Sequence, residues 1–191
     1  LHDALPIFAY LGGIIMNNVS GHINNTPEKV TPKESIGKQI LDPELNKHIS
    51  QSSADIQSQR DWIRNYKMRE TNNEEYYFII CRNDNNQRIG TIRLYDFKDN
   101  PKSFCWGSWI LNENKTRYAA IESALLVYKL AFEELGFQQS HFDVRKDNLG
   151  VHNFHMRLGA EHINGNDLDN FYIYPASQYF EILKEYQKFI G

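Results

Sequence analysis

The stretch Val144-Arg-Lys-Asp-Asn148-Leu-Gly-Val-His152-Asn-Phe-His155-Met-Arg-Leu-Gly159-Ala160 holds a strand end, a helix cap, a polar-striped helix and a glycine stop in one run. Asn148 is a good N-cap, because its side-chain oxygen accepts a bond from a backbone N–H that the first turn leaves unpaired. Gly159 takes the left-handed conformation that ends a helix without a steric penalty. The run therefore predicts a helix of about three turns from Leu149 to Leu158. At about 100° per residue, Asn148 and His155 share one stripe with His152 between them, while Val151, Phe154 and Leu158 form an apolar flank. Something polar is expected to face that stripe.

Outward from this run the period changes. Tyr76-Tyr-Phe-Ile-Ile-Cys81, Arg88-Ile-Gly-Thr-Ile-Arg-Leu-Tyr95 and Ser103-Phe-Cys-Trp-Gly-Ser-Trp-Ile-Leu111 are rich in aromatic and β-branched residues. The clusters Asn83 to Asn86 and Asp96 to Pro101 separate them as turns, so three antiparallel strands are expected in series. Gly107 inside the third predicts a bulge or a close approach. Asn112 to Ala120 leads into a helix that ends at Gly136, where Ala120, Ala124, Val127 and Ala131 recur at the spacing that lets a helix sit close on a sheet. Ser140 to Val144 reads as a strand before the opening run, and Phe171 to Tyr174 as one after it. A C-terminal helix carries Tyr179, Ile182, Leu183, Tyr186 and Ile190 on its inner side. Earlier in the chain, Thr31-Pro32-Lys33-Glu34 is a helix start running to about Leu41. Asn46 to Ser53 reads as a loop, and a second helix from Asp55 to Arg69 places Ile56, Trp62, Ile63 and Tyr66 on a partly shared face. This order specifies a mixed α/β sandwich, a mostly antiparallel sheet flanked by helices.

At 191 residues with 41% apolar content, the chain buries one good core rather than two. The net charge of −3 gives no electrostatic footprint for nucleic acid. Cys81 and Cys105 lack CxxC spacing and sit in strands, which reads as buried thiols of a reducing, cytoplasmic protein. The apolar run from Ala4 to Met16 is shorter than the roughly 20 residues of a membrane helix and has Asp3 where a signal peptide carries positive charge. Leu1 to Ile7 resembles a translated adapter sequence. Residues 1–15 are expected to be a non-native or disordered extension, with 16–191 forming a single domain.

From about Val30 to Tyr174 the chain resembles the GNAT superfamily of N-acetyltransferases, within it the RimJ/RimL-like branch and its relatives in amino-sugar pathways. The resemblance rests on Tyr77-Phe-Ile-Ile, Ile89-Gly-Thr-Ile-Arg-Leu, Gly107 to Leu111, Glu122 to Leu135, and Asp147-Asn148 through Gly159-Ala160, in that order and spacing. It implies an acyl-CoA N-acyltransferase fold and acetyl-CoA as acyl donor, with no metal. The family's pyrophosphate motif, Q/R-x-x-G-x-G/A at a helix start, aligns with Lys115-Thr116-Arg117-Tyr118-Ala119-Ala120, with Tyr118 in a glycine place. Lys115 and Arg117 add cations there. Asn148 matches an asparagine that contacts the pantetheine arm, a role compatible with capping. His155 stands where many members carry a tyrosine that protonates the leaving thiolate, and a reference pKa of about 6.5 gives histidine a usable protonated fraction at neutral pH. His152-x-x-His155 lacks a third metal ligand at a recognisable spacing.

The implied reaction is direct attack of an amine on a thioester. Backbone N–H groups near Trp109, Ile110 and Leu111 are expected to polarise the carbonyl, and Glu75 or Asp143 to take the proton. Glu75 also reads as a solvated turn residue, and Asp143 as an ion-pair partner of Arg145. Tyr76, Arg93, Trp106 and Trp109 are candidates to stack on a sugar or base or to clamp a phosphate, and they fit a core equally well. By family analogy the acceptor is a nucleotide-linked amino sugar, with a protein N-terminus or another small amine behind it, acted on by a monomer or homodimer. A GNAT-fold binding module without catalysis and a purely structural partner-binding domain stay open. A V-shaped gap between strands ending near Leu111 and Val144 favours the first two readings over the third.

Overall fold

The computed structural model describes residues 7–11, 14–16 and 56–186. The strands are β1 (Ile7–Leu11), β2 (Ile14–Met16), β3 (Tyr76–Arg82), β4 (Arg88–Asp99), β5 (Lys102–Leu111), β6 (Gln139–Arg145), β7 (Glu161–Gly165) and β8 (Asp169–Pro175). The helices are α1 (Ile56–Thr71), α2 (Ala119–Lys129), α3 (Leu149–Arg157) and α4 (Ala176–Tyr186). Among the described residues the strands form one sheet in the order β2-β1-β3-β4-β5-β6-β8-β7. Every neighbouring pair is antiparallel except β5 and β6, which run parallel. The helix start at Thr31, the loop at Asn46 to Ser53 and Ile190 lie outside the described residues.

Alternation along the strands sorts the two faces. Phe78, Ile80, Ile92, Leu94, Phe104, Trp106, Phe142, Val144, Tyr172 and Tyr174 are all buried in the main core with Ala124, Tyr128, Ala131, Leu158 and Tyr179 of the helices. The core is aromatic. Tyr128 stacks on Phe132 at 5.5 Å and lies 4.4 Å from the Tyr174 ring, and its hydroxyl accepts a bond from Trp106 Nε1 at 3.1 Å. Helix α1 lies against the other face, where the Tyr66 ring meets Tyr77 at 6.1 Å. Helix α2 passes into a π-helical turn at Leu130–Glu134 before Gly136 ends it in the left-handed region.

Two details differ from the sequence reading. β4 does not stop at Tyr95, because a positive φ of 52° at Asp96 and a register shift between Tyr95 and Lys98 bend the strand and let pairing resume to Asp99. β7 was not anticipated: all five of its residues are exposed at the sheet edge, so no alternation marks it. β1 and the first two residues of β2 lie within residues 1–15, and β1 pairs antiparallel with β3. No helix among the described residues is long and apolar enough to cross a membrane. Cys81 and Cys105 are free and buried.

Candidate active site

The parallel pairing of β5 and β6 is short. Ser103 pairs with Gln139 and Phe104 with Ser140, and no further rungs follow, so the strands splay towards Leu111 and Arg145. β5 also bulges at this point. Thr91 pairs with Ile110 and Arg93 with Gly107, which leaves one extra residue on β5. Ser108 takes up the strain at φ 47°. Gly107 has a further reason to be glycine: a Cβ there stands 3.1 Å from the Tyr95 hydroxyl.

One side of the splay is closed by α3. Its cap is the expected one, with Asn148 Oδ1 accepting from Val151 N at 3.3 Å. Gly159 has φ +89°, and a Cβ there collides with the Gln178 side chain at 2.6 Å. The His155 ring bridges the two strands, 5.2 Å from Trp106 of β5 and 4.2 Å from Phe142 of β6. It is only 4% exposed, and its Nδ1 has no hydrogen-bond partner. Burial, and then His152, pull its pKa down to about 3. This corrects the expected protonated fraction: the imidazole is neutral at pH 7, because low-dielectric surroundings penalise the cation. His152 is engaged elsewhere, its Nδ1 2.5 Å from the Tyr172 hydroxyl.

On the same side, α2 starts at a bare end. Tyr118 caps it with φ −106° and ψ 1° and no side-chain bond, so the first-turn amides meet no capping side chain. That φ is open to any residue, so tyrosine in the glycine place carries no backbone strain. Arg117 lies 5.5 Å from the Tyr118 ring centre, the Thr116 hydroxyl is buried and unpartnered, and Lys115 is exposed. A cavity of about 290 Å³ opens beside this end, lined by Arg117, Ala120, Ile121, Phe154, Arg157, Leu158 and Tyr186. Trp109 packs against Phe154 at 5.0 Å and donates to Ser123 Oγ at 3.0 Å, which ties β5 to the cavity wall. Two cations, two aromatic rings and a helix N-terminus suit a planar anionic ligand. Arg157 and Tyr186 were missed from sequence, because only the packing of α3 and α4 beside α2 brings them there.

Asp143 follows Phe142 and so sits on the opposite face of the sheet. It is exposed, and its pKa is raised, first by partial desolvation and then by neighbouring Asp169. The anticipated Asp143–Arg145 pair is replaced by one across strands, Arg145 Nε to Asp169 Oδ1 at 3.4 Å. Glu75 is no solvated turn residue. It is 3% exposed and held by Arg69 at 2.7 Å and by Arg93 at 2.8 Å on both oxygens, so arginine donors occupy the carboxylate. Tyr76 points away from Arg93, its hydroxyl donating to Asn73 Oδ1 at 3.0 Å and its ring against Phe97. Trp106 is buried in the core. The ring beneath the Arg93 guanidinium is Tyr95, 4.4 Å away, while Tyr77 lies opposite Arg93 in register.

Residues 34–161 match the family model described as an acetyltransferase (GNAT) domain. The fold is similar to that of an apo protein, FdhC, described as a nucleotide-linked sugar GNAT. The two are 58% identical over 82% of this chain and 88% of that one, with a TM-score of 0.75. A GCN5-related N-acetyltransferase from Brucella melitensis, 13% identical over 81% of this chain and 76% of its own, has a TM-score of 0.66. A spermidine N-acetyltransferase from Vibrio cholerae, in complex with CoA and spermine, is 15% identical over 76% and 90%, with a TM-score of 0.61. At those two identities the likeness concerns the fold alone. A search of curated protein sequences gives no match.

Proposed function

The chain belongs to the GNAT acetyltransferase family, and from that membership we propose that it transfers the acetyl group of acetyl-CoA to the primary amine of a nucleotide-linked amino sugar, both substrates being bound together. The observation that carries this reading is the splay after Phe104 and Ser140, with an anion-suited cavity on one face and a carboxylate on the other. Acetyl-CoA supplies an activated thioester. Arg117, Arg157 and the open end of α2 would hold its phosphates, and Phe154 and Tyr186 its planar ring. The side-chain NH2 of Asn148, whose oxygen serves the cap, would reach the pantetheine arm. Backbone N–H groups of the bulged strand from Trp109 to Leu111 polarise the carbonyl. Asp143, with its raised pKa, takes the proton of the amine. Neutral His155 offers an N–H to the leaving sulfur, the use to which an imidazole of depressed pKa is suited.

The sugar acceptor is favoured over a polyamine by the 58% identity to a nucleotide-linked sugar GNAT. Two grounds favour a catalytically silent binding module, Tyr118 in a glycine place and the lack of an obvious base, and the unstrained φ of Tyr118 weakens the first. Calorimetric titration of acetyl-CoA tests the reading, with desulfo-CoA reporting dependence on the thiol end. Binding in the micromolar range is expected; no heat at millimolar ligand overturns it.

A further inference from the structure

The face that carries Asp143 also carries an aromatic surface that no step above uses. Trp62 of α1 is 42% exposed although its neighbours are aromatic. Its inner side stacks on Tyr66 at 5.7 Å with the planes 9° apart, and its edge meets Tyr77 at 6.0 Å. The stack is locked from below: Tyr66 Oη accepts from Tyr77 N at 3.0 Å and donates to Glu70. Tyr77 leads to the reaction point. Its hydroxyl lies beside the side chains of Thr91 and Ser108, and Thr91 Oγ1 donates to Ser108 O at 3.1 Å. Ser108 is the bulged residue. Arg93, beside Tyr77, pairs in register with Gly107 of the same bulge.

Charge at Glu75 is unbalanced. Arg69 and Arg93 share Glu75, while Lys67 is paired with Glu70. At Glu75 two guanidinium groups therefore meet one carboxylate, a local excess of one positive charge. Arg69 bonds through Nε, and Arg93 through Nε and Nη2, of the five N–H donors each fork carries. A ring open on one side, then a cationic fork, then a bulge with a carboxylate beyond is the order in which a nucleotide-linked amino sugar presents its base, diphosphate and amine. A polyamine meets the opposite charge pattern.

Building on the acetyltransferase reading, we propose that Trp62, backed by Tyr66 and Tyr77, is the platform on which the acceptor's nucleobase stacks, with Arg93 and Arg69 receiving its diphosphate. Aromatic stacking tolerates any base, so this platform sets the nucleotide class rather than the base.

The test is calorimetric titration of UDP, dTDP, CDP, ADP and GDP into protein already saturated with CoA, which keeps them out of the donor cavity. At least one is expected to bind, with Trp62→Leu weakening it tenfold or more, Trp62→Phe giving an intermediate loss, and spermidine showing no binding. Retained affinity in Trp62→Leu, binding of spermidine alone, or no nucleotide binding while CoA still binds overturns the platform. Absence of CoA binding in the first place instead removes the acetyltransferase reading. Because Trp62 is exposed and Trp62→Phe keeps the stack on Tyr66, the pair separates loss of contact from loss of fold.

Discussion

Two buried titratable side chains, Glu122 of α2 and His155 of α3, pull stability in opposite directions as pH changes. Glu122 is fully buried, neither carboxylate oxygen has a hydrogen-bond partner, and burial raises its pKa from 4.5 to about 7. A raised folded value means the fold tolerates the protonated form. Its contribution is full below the unfolded value of 4.5 and is lost as pH rises through 7. His155 is the reverse case: its folded value is depressed to about 3, so the unfolded chain binds a proton that the fold refuses, and stability falls as pH drops from 6.5 towards 3. Glu122→Gln cannot ionise. It is expected to exceed the parent in stability at pH 8 by on the order of 2–3 kcal/mol, the advantage shrinking towards pH 5. Urea unfolding midpoints across that range measure it, and parallel curves for the two proteins would rule it out. An acid in a first helical turn looks from sequence like a complement to the helix dipole. Its burial depends on which face α2 turns to the sheet, and periodicity gives that only for the apolar residues.

At the scale of elements, the β5–β6 splay needs an anchor where it begins. His141 of β6 supplies it, with Nδ1 3.0 Å from Ser103 Oγ of β5 and Nε2 3.0 Å from Asp96 Oδ2 of β4. Three strands are thus clasped just below the last parallel rungs. The hydrogen bond from His141 is also the main reason the Asp96 pKa is lowered. Replacing His141 with Ala leaves the Ser103 hydroxyl, 2% exposed, without that partner. The cost is about 1–3 kcal/mol, since an orphaned buried polar group loses its solvation as well as its bond. That corresponds to a fall in Tm of about 2–10 °C for a domain of this size, read by calorimetry; an unchanged Tm would show that the clasp carries no load. The strands themselves were legible, because β3 to β6 and β8 alternate, and so was the bulge, through Gly107. The clasp was not legible, because β4 was expected to end before Asp96. β7 was not legible either, since an edge strand exposed on every residue has no apolar period to read.

In the proposed reading the whole molecule separates donor from acceptor by the thickness of its sheet, and that separation is testable as two independent losses. Alternation puts Trp106 and Phe142, with the His155 ring of α3 against them, on the face shared with α2 and α3, and Asp143 on the face shared with α1. The sequence reached this only in part. Of the proposed site, Asn148 and Arg117 came from the family resemblance and Asp143 from its place in a strand, whereas Arg157, Tyr186, Trp62 and Tyr77 are brought in by packing between elements far apart in the chain. If Asp143 accepts the amine's proton, it must be ionised to act, so turnover falls as pH drops through its pKa. That pKa lies above the ordinary 3.8, because partial desolvation and Asp169 both disfavour the carboxylate. Asp143→Asn is expected to lower kcat by about 10²–10⁴ and to abolish that acid limb, in keeping with loss of a general base. Its affinity for acetyl-CoA, bound on the opposite face, should stay unchanged. Arg157→Ala should do the converse, weakening acetyl-CoA binding while leaving the acid limb where it was. Thiol release followed across pH, with donor affinity from calorimetry, reads both variants. A donor-affinity loss in Asp143→Asn would mean that the sheet does not divide the two substrates, and an intact acid limb in that variant would move the base to another residue.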